Sequence, residues 1–217
     1  MFKSFIDRRQ REEEIKAEGR LPPGQSLTQK FPVLHYGPVP LYNNLNNWTF
    51  KVYGLVEEEK TWNWDEFNKL PRRKVTMDIH CVTRWSKFDT EWEGVHFKDL
   101  IDGGFVKLKP EANFCIQHCE YGFTVNVPVS VLLADNFLLA THFDGKPLEP
   151  DHGYPLRGVI GAIPGKHQDS DRYLWKGGKW LRALEFKAQD QPGFWEQAGY
   201  SMTARIWDEE RYARRGW

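Results

Sequence analysis

The chain has 217 residues, 40% of them hydrophobic and 28% charged, so it can bury one substantial core but not two large domains. Lys plus Arg and Asp plus Glu balance at 30 each, which speaks against binding nucleic acid or an anionic membrane surface through bulk charge. No run approaches the ~20 apolar residues of a membrane-spanning helix, and an odd count of 3 cysteines fits reduced thiols rather than a disulfide framework.

Residues 1–20 read as a charged, solvated helix. Asp7/Arg11 and Glu12/Lys16 place each acid four residues before its base. Gly19 and the following LPPG end it. Arg8-Arg9 is followed by polar residues rather than an apolar core, so no leader is expected and the chain reads as cytoplasmic. WTFKVYGLV (48–56) alternates, with Trp48, Phe50, Val52 and Val56 on one face of a strand. Asn63 and Glu66 have capping-box spacing for a short helix that stops before Pro71. RKVTMDI puts Val75, Met77 and Ile79 at period two, a strand running into Cys81. A short helix over 96–104 closes on glycine. A strand follows over 112–119, then a helix in VSVLLADN, a hairpin turning at Asp144-Gly145, and a late strand in KWLRALEF (179–186). Many short strands and few short helices predict a single α+β domain, mixed and largely β.

Cys81 sits where a strand gives way to a loop, in DIHCVTRWS. A lone cysteine is most simply an inert buried thiol, but loops on a rigid scaffold carry chemistry, and a thiolate is a nucleophile or a soft metal ligand. Cys115 and Cys119 flank His118 closely enough to suggest zinc. On a strand, however, four residues span about 13 Å, too far for one tetrahedral ion with bonds of ~2.3 Å, so both are read as structural. P-loop, GxGxxG, HExxH and CxxCH patterns do not occur. His152, Arg157, Lys166, Lys176 and Lys179 form a dispersed cationic set. DHGYPLRGVIG and WKGGKWL place glycines beside cations, which lets backbone N–H groups approach a phosphate.

From about Phe31 to Tyr200 these segments, in order, resemble the molybdopterin-binding domain of the sulfite oxidase family. FPVLHYGPVP is similar to its entry segment, and DIHCVTRWS to the segment that holds the molybdenum-ligating cysteine. CEYGFTVNVPVSVLLADNFLLATHFDGKPLEPDHGYPLRGVIG, WKGGKWLRALEF and PGFWEQAGY complete the series. The likeness is greatest to the short bacterial and archaeal sulfite-oxidase-like proteins. It implies that residues 25–200 form the catalytic domain, after a charged helix and linker (1–24) and before a C-terminal tail (201–217). It implies molybdenum with molybdopterin as cofactor, no haem, and Cys81 as metal ligand. His35, Tyr36, Thr124, His152, Arg157, Gly177, Gly178 and Lys179 are implied as cofactor contacts. Arg84 is expected at the open face, as the residue that attracts a substrate oxygen, with Trp85 walling the pocket.

The implied activity is two-electron oxygen-atom transfer on a small substrate, a sulfite-like oxyanion or a sulfoxide, with a separate electron-transfer protein or carrier as partner. Two rival readings remain: a cysteine-dependent hydrolase or transferase, and a binding module that kept the fold without the cofactor. His80, adjacent to Cys81 on a strand, points to the opposite face and is poorly placed as a base.

Overall fold

A computed structural model describes residues 2–213, with side chains from Arg9 onward. Asp7 and residues 214–217 of the predicted tail lie outside the described side chains. The elements in chain order are α1 (Phe2–Ala17), β1 (Ser26–Leu27), β2 (Thr49–Gly54), β3 (Lys60–Asn63), α2 (Trp64–Phe67), β4 (Arg73–His80), β5 (Trp85–Val95), α3 (Phe97–Asp102), β6 (Phe114–Cys119), β7 (Thr124–Pro128), α4 (Val129–Leu132), β8 (Phe137–Phe143), β9 (Lys146–Pro147), β10 (Arg157–Ile160), β11 (Leu181–Lys187) and α5 (Phe194–Gln197).

Two sheets build one mixed, largely β domain. One runs β3-β2-β11-β6-β7, with β2 and β11 parallel. The other runs β1-β5-β8-β10, with β4 paired to β5 and β9 to β8. β4 and β5 form a long antiparallel hairpin whose turn is the Cys81 loop. β1 lies parallel to the start of β5, matching Ser26 with Trp85.

Side-chain alternation explains how the layers stack. On β8, Phe137 and Leu139 join the larger core with Phe50, Val52, Leu184 and Phe186, whereas Leu138 and Ala140 join a smaller core with Met77, Ile79, Trp92 and Val159. A strand covered on both faces reads as a continuous apolar run, as FLLA does here. On β10, Arg157 falls on the face of Val159 and Trp92.

The local expectations hold in detail. Trp48, Phe50, Val52 and Val56 are all buried. Asn63 accepts from the Glu66 amide and Glu66 accepts from the Asn63 amide, each at 2.9 Å, which caps α2. Asp144 and Gly145 both take positive φ in the β8–β9 turn. β1, β3, β5, β7 and β10 are not among the strands expected from the sequence. β5 alternates buried Ser86, Thr90, Trp92 and Gly94 with charged residues, but Asp89 at φ 55° shifts the register midway and blurs the pattern.

The terminal segments are more than solvated appendages. Glu12 pairs with Lys16 at 3.3 Å as the spacing predicts, yet Ile15 is buried and Glu12 also accepts from the Leu27 amide. Arg20 makes a two-pronged contact with the buried carboxylate of Asp78. At the other end, Ala204, Ile206 and Arg211 are buried against the body.

Candidate functional site

The β4–β5 turn presents Cys81 to a cavity of ≈ 290 Å³. The turn is closed by the Cys81 amide donating to the Trp85 carbonyl at 2.8 Å and the Arg84 amide donating to the Cys81 carbonyl at 3.0 Å. Arg84 takes φ 75°, the left-handed conformation that reverses the chain. Cys81 is only 8% exposed. Burial pushes its thiol above the usual range. The Thr83 hydroxyl, which donates to Sγ at 3.2 Å, and the backbone N–H groups of the turn pull it back down.

On the opposite wall, three successive carbonyls of the 150–152 turn each take a donor from a cavity residue. Trp180 Nε1 donates to Pro150 at 2.7 Å, Lys179 Nζ to Asp151 at 2.8 Å, and Arg157 Nη1 to His152 at 2.9 Å. Arg157 is 3% exposed, and its acceptors are backbone carbonyls. Among the described residues, neither Arg157 nor Lys179 has a carboxylate within ion-pairing distance. Burial lowers Arg157 to about 10. Burial and then the Arg157 charge lower Lys179 to about 7. Burial, with the same Arg157 charge behind it, lowers His152 to about 4. The His152 ring stacks on Phe31 at 4.0 Å between centroids. A buried guanidinium and a half-buried amine facing a cavity, neither of them ion-paired to a carboxylate, form a site suited to an anion.

The loop carrying Gly177, Gly178 and Lys179 is fixed from β6. Gln117 accepts from the Gly178 amide at 2.9 Å and donates to the Lys176 carbonyl at 2.7 Å. A Cβ on Gly177 would lie 2.3 Å from the Gly158 carbonyl oxygen, so only glycine lets this loop lie against β10.

Of the expected site residues, Cys81, His35, Tyr36, His152, Arg157, Gly177 and Lys179 line this one cavity, and Trp85 walls it. Arg84, expected at the open face, does not line it. Its side chain is exposed and its guanidinium lies beside Gly24, because the left-handed turn aims it away from the sulfur. Thr124 and Gly178 also lie off the lining. Phe123 and Gly177 take the adjacent places. Lys176 is no free anion-binding cation, since it is buried and paired with Glu196. Lys166 is exposed and outside the cavity. Phe31, Thr83, Trp175, Trp180, Trp195 and Tyr200 complete the walls. The abundance of aromatic residues hid the five rings among them, since any single ring in this sequence reads first as core.

The sequence profile of the oxidoreductase molybdopterin binding domain matches residues 36–195. The chain is 42% identical over 194 residues to the uncharacterized oxidoreductase YuiH of Bacillus subtilis (strain 168), covering 89% of this chain and 92% of that protein. It is 24% identical over 216 residues to sulfite oxidase of Arabidopsis thaliana, covering 83% of this chain but 53% of that protein. With nitrate reductase 1 (NADH) of Nicotiana tabacum it shares 24% identity, over 20% of that protein's length. This chain therefore matches YuiH nearly end to end and spans about half or less of the two plant enzymes. Among solved structures, the sulfane dehydrogenase SoxCD from Paracoccus pantotrophus superposes with a TM-score of 0.58 at 18% identity, covering 72% of this chain and 42% of that one, which shows a shared fold. The chain belongs to the oxidoreductase molybdopterin binding domain family.

Proposed function

We propose that this protein carries out two-electron oxygen-atom transfer with molybdenum and molybdopterin on a small substrate, a sulfite-like oxyanion or a sulfoxide. One observation carries the reading: Cys81 Sγ shares a cavity with the buried Arg157 guanidinium and the half-buried Lys179 amine, neither of them within ion-pairing distance of a carboxylate among the described residues. This donor set fits an anionic, metal-bearing cofactor. Cys81 would be the metal ligand, and Arg157, Lys179 and His152 would hold the pterin and its phosphate, with His35, Tyr36 and the Gly177 backbone around it. When bound, the group supplies a soft-ligated metal that exchanges electrons in pairs.

The remaining roles belong to the chain. To act as ligand, the Cys81 thiol gives up its proton, and the Thr83 hydroxyl and turn N–H groups stabilise the anion left behind. Arg157 and Lys179 hold a doubly charged phosphate with charge-assisted hydrogen bonds. Trp85, Trp175, Trp180 and Trp195 exclude water from the cavity. Electrons pass to or from a separate protein or small carrier.

The rivals fit less well. A thiol hydrolase needs His80 or a distant histidine as base on Cys81, but His80 is fully buried, bonds the Ser86 hydroxyl at 2.8 Å and is lowered by burial to about 3. Among the described residues, the side chain hydrogen-bonded to the sulfur is Thr83 rather than His35 or His152. A cofactor-free binding module leaves the buried Arg157 guanidinium without an anion.

The test is molybdenum and pterin analysis of protein purified from cells that assemble the cofactor. Both should be present in wild type, and Cys81→Ser should fold normally with little molybdenum and little activity. Wild-type turnover per bound molybdenum in Cys81→Ser, or neither component in wild type, would overturn the reading.

A further inference from the structure

Three carbonyls of the Cys81 turn take a donor from outside the family-matched residues 36–195. The Cys81 carbonyl accepts from Gln25 Nε2 at 3.1 Å. The Val82 carbonyl accepts from Arg211 Nη1 at 3.1 Å. The Arg84 carbonyl accepts from the Ser26 amide at 2.9 Å. The segments before and after the family domain thus meet on the loop that presents the sulfur.

Arg211 is the unusual member. It is 5% exposed, and its Nη2 reaches the Pro23 carbonyl at 3.4 Å. Its guanidinium lies 4.8 Å from the centroid of the Tyr173 ring, and its Nε has no partner. Its one carboxylate neighbour, Glu209, stands at 3.5 Å and is nearly half exposed, so water screens it. The guanidinium therefore keeps much of its field while bonded to the carbonyl of the residue next to Cys81. Burying a cation against carbonyls is costly, and a neutral residue could fill the space.

We infer that Arg211 is a positioning residue for Cys81: with Gln25 and Ser26 it locks the turn that presents the sulfur, and its charge raises the reduction potential of whatever metal that sulfur holds. The inference rests on the reading of Cys81 as a metal ligand.

The experiment compares wild type with Arg211→Gln and Arg211→Lys as full-length chains. In cofactor-free protein, amide hydrogen exchange is followed at Cys81 and Arg84, with β2 and β11 as internal controls. In loaded protein, the molybdenum midpoint potential is measured. Arg211→Gln should speed exchange of the turn amides about tenfold or more while β2 and β11 keep their rates, and should shift the potential negative. Arg211→Lys should restore most of the potential. Unchanged turn exchange, equal acceleration throughout the protein, or one potential for all three proteins would overturn the inference. Absence of molybdenum from wild type would instead defeat the ligand reading, and exchange in the cofactor-free chain would still judge the lock.

Discussion

Lys176 and Glu196 form an ion pair in which each side chain is 1% exposed. The pair ties the loop after β10 to α5. Lys176 Nζ also donates to Asn126 at 2.7 Å, and Glu196 accepts from Trp175 Nε1 at 3.2 Å. Trp175 and Trp195, the neighbours of these two residues in sequence, line the cavity. A charge pair buried beneath the site thus sets the position of two of its walls.

Breaking that pair from one side leaves a buried charge with no partner. Lys176→Met should lower stability by about 3–5 kcal/mol in urea unfolding. The double variant Lys176→Met/Glu196→Leu should recover most of the loss, because apolar replacement of a buried pair is close to neutral. A double variant as unstable as the single one would refute this account.

Gly177 is held against backbone, not against a flexible side chain. A Cβ there would meet Gly158 O at 2.3 Å and Val159 Cα at 2.9 Å. Gly177→Ala should therefore cost about 1–3 kcal/mol and displace Lys179 relative to Arg157. Thermal unfolding gives the first number, and molybdenum content per chain should fall in parallel.

Lys179 gives the cofactor-free protein a pH signature. Its folded pKa, about 7, lies below the ordinary value of 10.5. Between those values the unfolded chain binds a proton that the folded chain does not. Stability conferred above pH 10.5 is therefore lost as pH falls toward 7 and levels off below it. Lys179→Met should remove this slope, as read from urea midpoints across that range.

The parts of the fold and site legible in the sequence were those with local causes. Period-two apolar residues marked β2 and β4, and the stretch KWLRALEF marked β11. Spacing marked the α2 capping box, and Asp144-Gly145 marked the hairpin turn. Cys81, Gly177 and Lys179, which line one cavity, stood out as a thiol, a glycine and a cation at loop positions. Arg84 misled because sequence proximity to Cys81 says nothing about direction, and one left-handed residue turned its side chain away. Gln117, Glu196 and Arg211 were invisible for the opposite reason. Each reaches its partner from 20 to 129 residues away, and no local pattern records such a contact.

The hairpin corner that presents the sulfur takes hydrogen bonds from position 25 and from position 211. A chain still short of position 211 therefore has a corner with one brace missing, so the rigidity of this corner depends on a residue 129 positions beyond the carbonyl it holds.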